Sequence, residues 1–257
     1  DLHLSIRRRR QMCIRDSGWS VDLSVAHTNA NAYSNTNVTV GIPGLGDVRI
    51  DQGASVTGIA RMDDMTPSVW EEADGAGISA GIDKTVGING GTTIEVTPSE
   101  AMPAGLTARF AYSKDGDGGN VNDKTAGGTP GAIARGRDLT LEAGSDLTGV
   151  DGLTLYAGMS EYEQYQNASS ISGDGSERVY GIKYATGAFT VGFQMSDEET
   201  GETSVTDYEN TMYSVTFNVN DDLSIGYNHV ESDKVTSASH GDAEADSFQA
   251  AYTMGGA

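Results

Sequence analysis

The stretch GISAG, Gly77 to Gly81, has the G-x-S-x-G spacing that can hold a serine on a strained strand-to-helix turn with its hydroxyl exposed as a nucleophile. Such a serine needs an imidazole base in hydrogen-bond reach and a third group to orient it. Ser79 instead sits in a long glycine-rich stretch with no helical period after it, and His229 and His240 lie far along the chain. Hydrolase chemistry is the weaker reading, and the chain is expected not to be an enzyme. A second candidate is SKDGDGGNVNDK, where Asp115, Asp117, Asn120 and Asp123 alternate with glycine as oxygen ligands do in calcium loops. It lacks the flanking helices and the closing glutamate of an EF-hand. A solvated acidic loop is the plainer reading, with a weak calcium or magnesium site as its sharper alternative. No other cofactor is expected.

The chain has 257 residues and a formal net charge of -21, with 34 glycines, 5 prolines and 1 cysteine. Nucleic acid is excluded as a partner, because no basic footprint exists to displace counterions from phosphate. Residues 1–17, DLHLSIRRRRQMCIRDS, differ in kind from the rest of the chain: they hold Cys13 and a run of arginines. They read as a non-native, adapter-like leader and are set apart from the fold. A basic targeting arm is the alternative reading. Without them the formal charge is roughly -24 by simple counting, and residues 18–257 have no cysteine for disulfides, thiol chemistry or zinc. Both ends of the chain are expected to be cut.

The elements that would position any site are strands. In VYGIKYATGAFTVGFQMS, Val179 to Ser196, apolar and polar residues alternate on both sides of Thr186–Ala188, which marks an antiparallel hairpin with unlike faces. The same period predicts strands near 19–26, 36–42, 46–51, 92–97, 105–113, 136–143, 152–160, 177–186, 188–196, 209–219, 222–232 and 246–254. One face collects residues such as Trp19, Leu23, Val40, Ile50, Phe110, Leu155 and Phe217. The other collects Asp51, Glu95, Arg109, Thr140, Tyr156, Ser214 and Asn228. A water-soluble sandwich and a membrane barrel of reversed polarity both fit this pattern.

Connection lengths separate the two. Short links at 43–44, 186–188 and 220–222 alternate with long acidic Gly/Ser/Asn-rich links at 27–35, 52–91, 114–135, 161–176, 197–208 and 233–245. One end of the array therefore carries turns and the other carries loops, which is the asymmetry of outer-membrane barrels. The fold class expected is all-β, an antiparallel up-and-down transmembrane barrel that is open or imperfectly closed. Trp19, Tyr112, Tyr180, Tyr184 and Tyr213 would suit its membrane interfaces. The rival is an acidic secreted or surface β-protein, adhesin-like, that binds partners through its long loops.

The segment NVTVGIPGLGDVRIDQGASVTGIARMDDMTPSVWEEADG, Asn37 to Gly75, resembles the Gram-negative general porins: a strand, a tight turn with a Gly-Asp pair, a short strand, then a long loop. The resemblance spans 18–257 and implies about twelve of sixteen strands, with 52–91 as the loop folded into the lumen. It further implies a water-filled channel in the Gram-negative outer membrane for passive diffusion of ions and small hydrophilic solutes, a homotrimer, and contact with lipid and lipopolysaccharide. In that family, acids on the loop face bases on the wall across the constriction. The loop acids here are Asp63, Asp64, Glu71, Glu72 and Asp74, and the wall bases are Arg49, Arg109 and Lys183. Opposed charges so placed would make a transverse field, with a weak preference for cations. The alternative is that the acids are solvated and the bases pair with strand neighbours.

Overall fold

A computed structural model describes residues 6–13, 19–27, 35–52, 57–63, 65–70, 85, 87–88, 92–114, 133–164, 173–201, 207–235 and 242–253. Among these the strands are β1 (Ile6–Cys13), β2 (Ser20–His27), β3 (Asn35–Ile42), β4 (Gly46–Gln52), β5 (Thr92–Thr97), β6 (Leu106–Ser113) and β7 (Ile133–Ala143). They continue with β8 (Leu153–Gln164), β9 (Gly175–Thr186), β10 (Phe189–Glu199), β11 (Tyr208–Asn218), β12 (Leu223–Lys234) and β13 (Asp242–Tyr252). All lie in one sheet in chain order, each antiparallel to the next, and no pairing joins β13 to β1 among the described residues. This is the open, up-and-down array that the alternation predicts.

All twelve predicted strands are present, and several run further toward the loop end than the alternation reached. β8 continues through Glu161–Gln164, β10 through Asp197–Glu199, and β13 begins at Asp242. On β10 both faces are polar there, so the period of two vanishes while the backbone ladder persists; on β13 Asp242 and Glu244 face outward and Ala243 and Ala245 inward, the reverse of the lipid-facing pattern. Three elements were not anticipated, one of them a 3-10 turn at Gly58–Met62. A single helical turn, α1 (Ser145–Thr148), sits in the β7–β8 connection and ends at Gly149, whose φ of 72° supplies the left-handed cap. Residues 6–13, set apart on their sequence, pair with β2 from Ile6↔His27 to Cys13↔Ser20. An edge strand offers a row of unsatisfied N–H and C=O groups, which any extended segment can occupy.

The polarity of the sheet is the inverse of a soluble core. On β10, Phe189 is 50% and Val191 44% exposed, whereas Gln194 is 0% exposed on the opposite face. The same holds across the sheet: Ile50, Ile94, Leu139, Leu155, Ile182 and Ile225 are exposed, while Asp51, Glu95, Thr140, Ser160, Asn210 and Asn228 are buried. Trp19, Tyr112, Tyr180 and Tyr213 also stand exposed, and Tyr184 half-buried, on the apolar face. Apolar side chains that face outward over a continuous backbone hydrogen-bond ladder are stable only against lipid. No helix among the described residues is long and apolar enough to cross a membrane.

Candidate functional site

The polar face is crossed by the described parts of the 52–91 segment. A 3-10 turn at Gly58–Met62 brings two backbone amides and one guanidinium onto the wall. Gly58 N–H donates to Glu95 Oε2 of β5 at 2.8 Å, and Ile59 N–H donates to Asp138 Oδ2 of β7 at 2.9 Å. Arg61 donates to both Glu95 oxygens, at 2.6 and 3.1 Å. On the return, Gly87 N–H donates to Glu177 Oε2 of β9 at 2.9 Å. Gly58 and Gly87 have φ of 58° and 62°, a region costly for any residue with a Cβ, so glycine is what lets both amides turn to the wall.

The segment then reaches the far strands. The amides of Val69 and Trp70 donate to Gln249 Oε1 of β13 at 3.2 and 2.9 Å. From β5 to β13 are eight strand spacings, about 38 Å along the sheet. The segment crosses that span on the polar face, whose residues are buried while their outward neighbours are exposed, so this face is the concave one.

Packing complements these bonds. Ile59 and Met62, both 0% exposed, form an apolar cluster with Tyr156 of β8 and Val179 of β9, and Met65 packs against it. Burying side chains of this size stabilises by about 1.5–3 kcal/mol each. Space for them comes from wall glycines. Gly136 lies under Ile88, Gly158 under Ile59 and Met62, Gly192 under the Pro67 ring, and Gly226 under Val69. On the wall itself, the Tyr156 hydroxyl donates to Gln194 Oε1 at 2.8 Å.

The predicted site residues separate into three groups. Arg49 pairs with Asp51 on its own strand at 2.5 Å, and Arg109 pairs with Glu142 of β7, so both bases are held by wall carboxylates. Lys183 lies between Thr154 and Gly192 in register, beside the glycine on which Pro67 rests, and no carboxylate among the described residues pairs with it. Asp63 comes directly after the 3-10 turn, half-buried, with its N–H on the Ala60 carbonyl at 3.4 Å. Asp64, Glu71, Glu72 and Asp74 lie outside the described residues, as do Ser79 and the Asp115, Asp117, Asn120 and Asp123 loop.

Sequence reasoning did not single out the three carboxylates that receive the segment. Arg49, Glu95, Ala111, Asp138, Ser160 and Glu177 occupy one register row across β4 to β9, which places the acids side by side along the wall. The available signal was their setting. Glu95 stands between Ile94 and Val96, Asp138 is followed by Leu139, and Glu177 is two residues before Val179, each within the span of a strand whose other face meets lipid.

A curved, open antiparallel sheet with an oily convex face and a polar concave one defines the wall of an outer-membrane β-barrel. Residues 16–256 match the Gram-negative porin family, and the chain belongs to that family and to the Gram-negative outer membrane. Among solved structures it is similar to Salmonella typhi OmpF in complex with daunomycin, with a TM-score of 0.68 at 13% identity over 97% of this chain and 78% of that one. It is also similar to OmpT, an outer membrane protein of Vibrio cholerae, with a TM-score of 0.63 at 14% identity over 97% and 74% of the two chains. A comparison with curated proteins found no match.

Proposed function

We propose that this porin lets ions and small hydrophilic solutes diffuse passively through a water-filled lumen narrowed by residues 52–91. The observation that carries the reading is the docking of that segment on the polar face, with backbone amides on Glu95, Asp138, Glu177 and Gln249. A channel needs a hydrated bore and a fixed constriction, and a polar face with a segment anchored across it supports this reading. Within the constriction Lys183 is the wall charge best placed to act on a passing solute, since Arg49 and Arg109 are neutralised by neighbours. Asp63 is the described loop acid that would face it.

On the described polar face of β2 to β13 Asp22, Asp47, Asp51, Glu95, Asp138, Glu142, Glu177 and Glu198 outnumber Arg49, Arg109, Lys183 and Lys234, which favours cations. The adapter-like leader, through residues 6–13, acts as a surrogate edge strand, a reading supported by a family match that begins at residue 16. The family resemblance adds a homotrimer in contact with lipid and lipopolysaccharide. Reconstitution into planar bilayers tests the function: stepwise conductance with a cation-selective reversal potential supports it. A protein that inserts but passes no current overturns it.

A further inference from the structure

We infer that His229, Glu244 and Asp246 form a binding site for a divalent transition-metal ion of the zinc class, on the outward face of β12 and β13. His229 is directly opposite Asp246 in register, and Glu231 is opposite Glu244 one step nearer the loops. His229 Nδ1 lies 2.9 Å from Asp246 Oδ1 and 3.8 Å from Glu244 Oε1. One ligand atom from each of the three lies within 4.8 Å of the others. Ligand atoms around a tetrahedral zinc ion stand about 3.4 Å apart, so the set closes on an ion by side-chain rotation alone. One imidazole with two carboxylates is a donor set for zinc and its first-row neighbours rather than for calcium.

The imidazole is also held in place as a ligand would need to be. Its side chain is only 9% exposed, and its ring stacks on Tyr213 at 4.5 Å between centroids. The Tyr227 hydroxyl donates to Asp246 Oδ1 at 2.6 Å and orients that carboxylate, as outer partners of metal ligands do. Glu244 and Asp246 remain open to solvent, which leaves coordination positions for water.

Register supplies an independent reason for a cation here. Glu209 is opposite Asp233, Asp233 is opposite Asp242, and Glu231 is opposite Glu244, all on the outward face. Like charges directly opposite destabilise a sheet, and no described outward position of β11, β12 or β13 carries lysine or arginine. One imidazolium offsets a single charge of this group, whereas a divalent ion offsets two and ties β12 to β13.

The test is zinc titration of the full chain in detergent micelles, by equilibrium dialysis after chelation, in a His3→Gln, Cys13→Ser background that removes leader donors. One saturable zinc per chain is expected. His229→Ala should weaken it at least tenfold, Glu244→Gln/Asp246→Asn should do the same without touching the packed ring, and Asp233→Asn should change it less than about twofold. Zinc bound equally well by the His229→Ala or Glu244→Gln/Asp246→Asn proteins, or no saturable zinc at all, overturns the site and leaves a plain histidine–carboxylate pair. The site lies outside the lumen, so conductance is expected to be the same in all variants, and its failure is distinct from failure of the channel reading.

Discussion

Replacing Glu95 with alanine removes the anchor at which the crossing segment leaves β5. Glu95 is 2% exposed and accepts the Gly58 amide and a bidentate Arg61 guanidinium. Breaking a buried charged pair costs about 3–5 kcal/mol. Arg61 is 22% exposed and regains some hydration when released, so about 2 kcal/mol is the part assigned to docking. The apolar cluster of Ile59 and Met62 stays intact in this variant and keeps the segment docked most of the time. A loss of about 2 kcal/mol raises the undocked population about thirtyfold. The Arg61–Met62 bond reads that population directly, because Met62 is 0% exposed when docked and trypsin cleaves after arginine only when the bond opens. In micelles, Glu95→Ala should be cut at Arg61 about thirty times faster than wild type. Cleavage after Arg178, which is embedded in β9, serves as the control and should not change. An acceleration below about threefold, or an equal one at Arg178, refutes the anchoring argument.

The same geometry sets the outcome of other substitutions. Gly158→Ala should raise cleavage at Arg61 modestly, since the added Cβ stands 3.0 Å from Ile59 Cγ1 and 3.1 Å from Val179 Cγ1, buried β-branched side chains that must shift slightly to admit it. Gly192→Ala meets the Pro67 ring more closely, and that ring cannot rotate away, so cleavage at Arg61 should rise more in that variant than in Gly158→Ala. Lys183→Glu should raise the cation-to-anion permeability ratio roughly twofold or more in bilayer reversal potentials, with Arg49→Gln changing it less. Val191→Arg places a charge on the apolar face at a position 44% exposed and should destabilise by about 2–4 kcal/mol in vesicle unfolding. Thr216→Arg, on the polar face of the adjacent strand, should cost far less.

The strands, their order and the side each presents were legible because lipid and water impose opposite demands on alternate residues. Phe189, Val191, Phe193 and Met195 announce β10 without any tertiary information. The loop-side extensions were illegible because the lipid demand ends there: Asp197, Glu198 and Glu199 are polar on both faces, and Asp242–Ala245 alternate in the opposite sense, with alanine inward. Of the site, the inward pointing of Arg49, Arg109 and Lys183 followed from parity. Which of them is neutralised did not, because Arg109 meets Glu142 across 33 positions of sequence. The anchoring role of Glu95, Asp138 and Glu177 was illegible too, since it depends on a loop whose path only register and curvature define.

That path explains why the wall carries carboxylates where the segment touches it. Among the described residues, main-chain N–H groups of Gly58, Ile59, Val69, Trp70 and Gly87 fix the crossing together with the Arg61 guanidinium. An amide donor gives a carboxylate a strong charge-assisted bond yet carries no net charge. Asp138 and Glu177 therefore hold the segment without a counter-charge from it. Anchoring through Lys or Arg would have neutralised these carboxylates. Backbone docking works together with the packing of Ile59, Met62, Pro67 and Val69 on the wall, and the wall acids and the two turning glycines keep the crossing in place.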